Sequence, residues 1–227
     1  MSELFASPFF GVALSVLAFW VGVKIQKKTK LAICNPLLIA AILVICLLLI
    51  FRIPYDAYNQ GGSLINLFLS PATACLAISI YNKIQLLRKN WLPVVVGCTV
   101  GSVVSMGSIL LMCRLFALDA AITASLLPKS VTTSIAVGVA EAHGGIPSFT
   151  VAAVCITGIL GSIAAPFLIR LFRVKNPVAA GLAIGTCSHA VGTSKALEIG
   201  ETEGAMSGLA MGVSGLITVV FALFLTL

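Results

Sequence analysis

Two short stretches concentrate the reactive residue types of an otherwise apolar chain: Pro128-Lys129-Ser130-Val131-Thr132-Thr133 and Ser188-His189-Ala190-Val191-Gly192-Thr193. Lys129 brings a positive charge, and Ser130, Thr132 and Thr133 add hydroxyls and the free N–H groups of a helix start, a set that suits a carboxylate. His189, close in sequence to Thr193 and Lys195, can contact an anion or carry a proton. Plainer roles stay open: Lys129 can merely keep its segment hydrated in a wet vestibule, and His189 can be a hydrogen-bonded packing residue. Lys195 and Glu198, three apart on a helix, can simply pair with each other. A metal at His189 would need further ligands, and none accompanies it. No cofactor is implied.

Composition dictates the elements that position these residues. The 227 residues are 59% hydrophobic and 9% charged, too little polar surface to coat a globule in water. Leu4–Val23, Leu31–Phe51, Trp91–Cys113, Pro147–Ile169 and Gly204–Leu227 hold no Asp, Glu, Lys, Arg or His. Each matches the ~20 residues of a helix crossing hydrocarbon. Ala57–Asn82 is uncharged and long enough to be a sixth span, broken by Gly61, Gly62 and Pro71. Asn176–Ser194 is a seventh, unusually polar and small, with an unwound stretch expected around His189 between Gly185 and Gly192.

The net charge of +7 comes from basic residues at span ends without interleaved aromatics, which fits orientation in a bilayer and not nucleic-acid binding. Seven cysteines scattered through apolar segments show no zinc or redox spacing. No ATPase, hydrolase or zincin signature is present, so nothing points to an enzyme.

Three basic clusters, Lys24–Lys30, Lys83 with Arg88 and Lys89, and Arg170 with Arg173 and Lys175, belong in the cytoplasm by the positive-inside rule. This puts the N-terminus outside. It also requires that Ala120–Ala140 not cross, since a crossing there would carry Arg170, Arg173 and Lys175 outside. Lys129 splits that segment into arms of 9 and 11 residues, about 14 and 16 Å as helix, half a bilayer each. A re-entrant hairpin with Pro128-Lys129-Ser130 at its tip is expected.

The stretches Ser70-Pro71-Ala72-Thr73 and Ser188-His189-Ala190 then lie on segments that cross in opposite directions, each followed by one long span. That is the pattern of two inverted repeats with broken helices, about 1–117 and 118–227. Ser70 before Pro71 is a good helix cap followed by proline at the first helical position. A helix start at mid-depth must be buried in protein or line a wet cavity. Gly97, Gly101 and Ser105, and again Gly204, Gly208 and Gly212, form small-residue ladders that suit close packing, homo-oligomer contact or a moving interface. The expected architecture is an all-α polytopic membrane protein of about seven full spans plus one re-entrant hairpin.

Pro128–Thr133 with Ser188–Ala196 and Glu203-Gly204-Ala205 resembles the LrgB family, also called CidB-like or YohK-like. Asn35-Pro36-Leu37, Tyr55-Asp56-Ala57-Tyr58 and Leu69-Ser70-Pro71-Ala72 match as well, so one LrgB-type membrane domain covers nearly the whole chain. The family commonly has proline where this chain has Ser134, which implies a less kinked second hairpin arm here. The resemblance implies a multi-pass protein of the bacterial cell membrane, usually encoded with a small LrgA-like, holin-like partner. It implies two functions of different class. One is antiholin-like control of murein hydrolase activity and autolysis. The other is transport of small carboxylates such as pyruvate, with glycolate and glycerate for the related chloroplast translocator. The sequence favours transport, because broken repeats with a lysine and a histidine inside the membrane are costly for a protein that only binds a holin. Lys129, Ser130, Thr132, Thr133, Ser188, His189, Gly192 and Thr193 are the candidate substrate contacts, and Ser70, Pro71, Thr73 and Pro128 the candidate helix breaks.

Overall fold

A computed structural model describes residues 7–29, 34–68, 71, 74, 81 and 84–225. Among these residues the chain is helical without strands: α1 (Pro8–Thr29), α2 (Pro36–Ile50), α3 (Tyr55–Asn66), α4 (Ile84–Lys89), α5 (Trp91–Leu115), α6 (Ala120–Leu126), α7 (Thr133–Ala142), α8 (Pro147–Leu171), α9 (Pro177–Ile199) and α10 (Glu201–Leu223). Four of them, α1, α5, α8 and α10, are long and apolar enough to cross a membrane. At 23 residues, α9 has the length as well, about 34 Å, but its glycines, serines and threonines lower its hydropathy.

Local sequence explains where helices start and stop. Asn35-Pro36 and Asn176-Pro177 open α2 and α9 in the same way, each asparagine Oδ1 accepting from the N–H two residues on at 2.9 Å while proline takes the first helical position, where no donor is needed. Helices α2, α5 and α8 end alike, on Phe51-Arg52-Ile53, Phe116-Ala117-Leu118 and Phe172-Arg173-Val174. The middle residue is left-handed (φ 50°, 49° and 52°), and the third N–H reaches back five residues, to Leu48, Cys113 and Ile169, at 2.9 Å each time. These are Schellman ends without the usual glycine.

The described residues fall into two compact units, Met1–Thr73 and Ala74–Leu227. In the first, α1 packs against α2 and α3. Gly61 does not break α3: a Cβ there would strike Gly11 Cα and Val12 N of α1 at 2.6 Å, so the glycine is a helix-crossing point. Helix α3 runs through Gly61 and Gly62 and stops at Asn66. The expected second span is shorter than its apolar stretch, 15 residues from Pro36 to Ile50, because Asn35 and Arg52 fix its ends. Tyr58 turns inward to pack on the α1–α2 core and donate to Ser15 Oγ at 2.8 Å.

In the second unit α9 lies between α8 and α10, and α5 packs on both α9 and α10. Val94 and Cys98 of α5, Leu182 of α9 and Met206, Leu209 and Ala210 of α10 form the main core. The tight α9–α10 seam comes from Gly181 and Gly185, whose Cβ positions would strike Met206 Cβ and Ser207 Cα at 2.8 Å. Of the Gly204–Gly208–Gly212 ladder, Gly204 joins this seam, a Cβ there meeting Leu197 Cα of α9 at 2.9 Å, whereas Gly208 has open space beside it. The Gly97–Gly101–Ser105 ladder does face α9 and the 127–132 turn: Gly97 looks onto Leu182, Gly101 onto Thr186, and Ser105 Oγ bonds Ser130 Oγ at 2.8 Å.

Residues 120–142 form two arms of 7 and 10 residues, α6 and α7, each too short to cross a bilayer. After α7 the chain comes back alongside α6, where Ile146 N donates to Ser125 Oγ near its C-terminal end at 2.7 Å. His143 ties the end of this hairpin to α10: its ring nitrogens meet Val139 O and Ala222 O, both at 2.9 Å.

Candidate functional site

The hairpin tip is built by two tight turns, Lys129 N to Leu126 O and Val131 N to Pro128 O, each 3.2 Å. Pro128 and Val131 are buried, while Lys129 is half-buried. Its Nζ donates to Ser130 Oγ at a long 3.4 Å. Among the described residues no carboxylate lies within ion-pair distance of this ammonium; the ion pair found there joins Lys195 to Glu198 at 2.7 Å. The Lys129 charge also lies within electrostatic range of Cys187 and His189. Thr132 caps α7, yet its hydroxyl is buried with no hydrogen-bond partner among the described residues. Thr133 opens α7 and is half-buried, and Ser134 follows within its first turn. A buried hydroxyl without a partner costs on the order of 1–3 kcal/mol, so this tip has unspent capacity to bind.

On α9 the interruption is a single residue. His189 has φ 41° and ψ −139° inside an otherwise helical run, a left-handed conformation that costs a non-glycine residue about 1–3 kcal/mol. Neighbouring helices hold it. Its Nε2–H donates to Val154 O of α8 at 2.9 Å, which leaves Nδ1 as the lone-pair nitrogen of the neutral ring. Thr193 Oγ1 donates to His189 O at 2.9 Å, so the Ser207 hydroxyl of α10 must donate to Thr193 at their 2.9 Å contact. Gly158 and Gly161 of α8 make room for the break: Cβ atoms there would meet the imidazole edge and Ser188. Gly192 lets the resumed helix sit against Ser188 and Ile184.

The candidate residues therefore form two neighbouring groups, Lys129–Thr133 on the tip and Ser188–Thr193 on α9. A cavity of about 10 Å³ lined by the hydroxyl-bearing Ser102, Ser105, Ser130, Thr186 and Thr218 joins the tip to α5, α9 and α10; its size is that of one water. Ser102, 4% exposed, has no partner for its hydroxyl among the described residues. Sequence reading missed Ser102, Thr186, Thr218, Ser207 and the α8 glycines. Ser105 carried a signal, read as part of a small-residue ladder and not as a site residue. Of the expected breaks near residue 71, Pro71 is helical and exposed, while Ser70 and Thr73 lie outside the described residues.

Long apolar helices, a pair of short helices with a lysine at the turn between them, and a helix broken at a buried histidine define a polytopic helical membrane protein with a polar site among its helices. Within that class the chain belongs to the LrgB family: the profile of the LrgB-like family matches residues 15–227. The antiholin-like protein LrgB of Bacillus mycoides (strain KBAB4) is 36% identical over 215 residues, covering 94% of both chains. Those of Bacillus cereus (strain B4264) and Bacillus anthracis (strain CDC 684 / NRRL 3495) show the same identity and coverage. No solved structure matches.

Proposed function

We propose that this chain moves small monocarboxylates of the pyruvate, glycolate or glycerate type across the bacterial cell membrane by alternating access. The observation that carries this reading is the Lys129 ammonium, which has no carboxylate partner among the described residues and reaches Ser130 Oγ on the wall of the serine-lined cavity, in a tip where the Thr132 hydroxyl is buried and unpartnered among the described residues. An unpaired cation inside a membrane protein is expensive, and an anionic ligand offsets that cost. In this reading Ser130 and Thr133 orient the carboxylate, and His189 Nδ1, with Ser188, Gly192 and Thr193 around it, contacts the substrate or takes up a proton. The N-terminus lies outside, and two inverted repeats, about 1–117 and 118–227, exchange access.

The curated relatives carry the name antiholin-like protein LrgB, and that name favours a second reading, control of autolysis through a small LrgA-like membrane partner. The two separate in one design. Purified chain in liposomes, with and without the partner, is assayed for counterflow of labelled pyruvate, glycolate and glycerate, while cells carrying wild type or Lys129→Ala are assayed for autolysis. Carboxylate flux that Lys129→Ala abolishes supports transport. No flux for any of the three acids, with autolysis responding to the chain but not to Lys129→Ala, supports lysis control by protein contact and overturns the transport reading.

A further inference from the structure

Beside the hairpin tip a second space opens between α5 and α9, a groove of about 490 Å³, within the roughly 300–1,000 Å³ of small-molecule sites. Asn90 and Asn176, the residues before α5 and α9, stand at one end, next to exposed Lys89 and Lys175. Gly97 and Gly101 form the wall on α5, and Thr186 and Cys187 the inner end on α9. From Asn176 to Cys187 is eleven residues of helix, a rise of about 16 Å. The groove thus runs from a helix end to about half the hydrocarbon thickness, and it stops at a side chain within electrostatic range of the Lys129 ammonium.

Thr186 lines both this groove and the hydroxyl-lined cavity at the tip. Its methyl fits the notch left by Gly101, where a Cβ would approach Thr186 Cγ2 to 2.5 Å, and its hydroxyl reaches Cys98 Sγ at 3.6 Å. Beyond it lies the unpartnered, buried hydroxyl of Ser102. One residue therefore separates a wide space open at the surface from a water-sized one at the site.

We propose that the α5–α9 groove is the route by which small organic anions and water reach the hairpin tip from the face bearing Lys89 and Lys175, and that Thr186 is the partition between groove and tip. Basic side chains and asparagine amides at the mouth collect an anion, and the Lys129 charge draws it inward. The small wall residues at Gly97, Gly101 and Ala183 leave room for it to pass. Only the identity of the cargo rests on the carboxylate reading; the route does not.

Native Cys187 reports on the route directly. Vesicles of either orientation are treated with the small, membrane-impermeant anion 2-sulfonatoethyl methanethiosulfonate, and modification of Cys187 is read by peptide mass spectrometry, with Asn176→Cys marking the mouth. Cys187 should react at least tenfold faster from the face at which Asn176→Cys reacts than from the other. Lys129→Gln should slow the anionic reagent several-fold while leaving its trimethylammonium counterpart unslowed. Ser105→Cys should stay unreactive from that face with Thr186 present and become reactive with Thr186→Ala. Reaction of Cys187 only with lipid-permeant N-ethylmaleimide, or only from the opposite face, overturns the route. Equal reactivity of Ser105→Cys with and without Thr186→Ala overturns the partition. Cys187 reacting as expected with no carboxylate flux would remove the transport reading and keep the route; flux with Cys187 unreachable would do the reverse.

Discussion

Gly158→Ala tests whether α8 holds the break in α9. A Cβ at Gly158 would lie 2.6 Å from His189 Cε1 and 2.7 Å from Nε2, whereas such atoms rest about 3.5–4.0 Å apart. Ring or helix must therefore shift by about 1 Å. The ring has little freedom, because its Nε2–H is bound to Val154 O, four residues earlier on the same helix, at 2.9 Å. Relief comes at the cost of that bond, leaving a buried donor or acceptor unpaired for about 1–3 kcal/mol, or by overpacking, for about the same. A loss of about 2–3 kcal/mol is expected, read as thermal unfolding in detergent with a thiol-reactive dye reporting exposure of buried Cys98 and Cys113. The control is a double-mutant cycle with His189→Gly, which removes the ring and relaxes φ at once. In that background the Val191 Cβ contact at 3.0 Å remains, so Gly158→Ala should still cost about 1 kcal/mol, a coupling of about 1–2 kcal/mol. Equal costs of Gly158→Ala in both backgrounds would refute the steric argument.

Other substitutions have equally definite outcomes. His189→Gly should be more stable than His189→Ala by about 1 kcal/mol or more, since alanine keeps the left-handed strain, while both should lose flux; the order is read in the same unfolding assay. Thr132→Val removes a buried hydroxyl that has no partner, so stability should hold or rise by up to about 1 kcal/mol while substrate binding weakens. Ser125→Ala strips the Ile146 N–H of its acceptor and should cost about 1–3 kcal/mol, seen as faster proteolysis near Gly144-Gly145. A tag inserted beside Glu141 should be reached from the same face as one beside Asp119; reach from opposite faces would contradict the non-crossing hairpin.

Much of this site was legible because the signals were chemical and local. A lysine in mid-segment, flanked by a proline and hydroxyl residues, could neither cross a bilayer comfortably nor continue a helix, and the structure puts a turn there between arms of 7 and 10 residues. His189 stood out as a titratable residue in a run of small polar ones. What stayed hidden depended on neighbours distant in sequence. Whether a glycine breaks a helix or lets two helices touch is not a local property: Gly61 and Gly181 both serve crossings, and Gly208, identical in pattern, touches nothing. The Schellman ends at Arg52, Ala117 and Arg173 carry no glycine to announce them. Thr186 and Ser102 look like ordinary helix residues until α5, α9 and the hairpin tip are placed side by side.

The most direct measurement is counterflow of labelled glycolate or pyruvate by the reconstituted chain, comparing wild type with Lys129→Gln. A charge-assisted hydrogen bond to a carboxylate is worth about 1.5–3 kcal/mol, so the half-saturating concentration should rise about ten- to hundredfold. Saturable flux with an unchanged half-saturating concentration in Lys129→Gln would contradict the assignment of the Lys129 ammonium as the anion's binding charge.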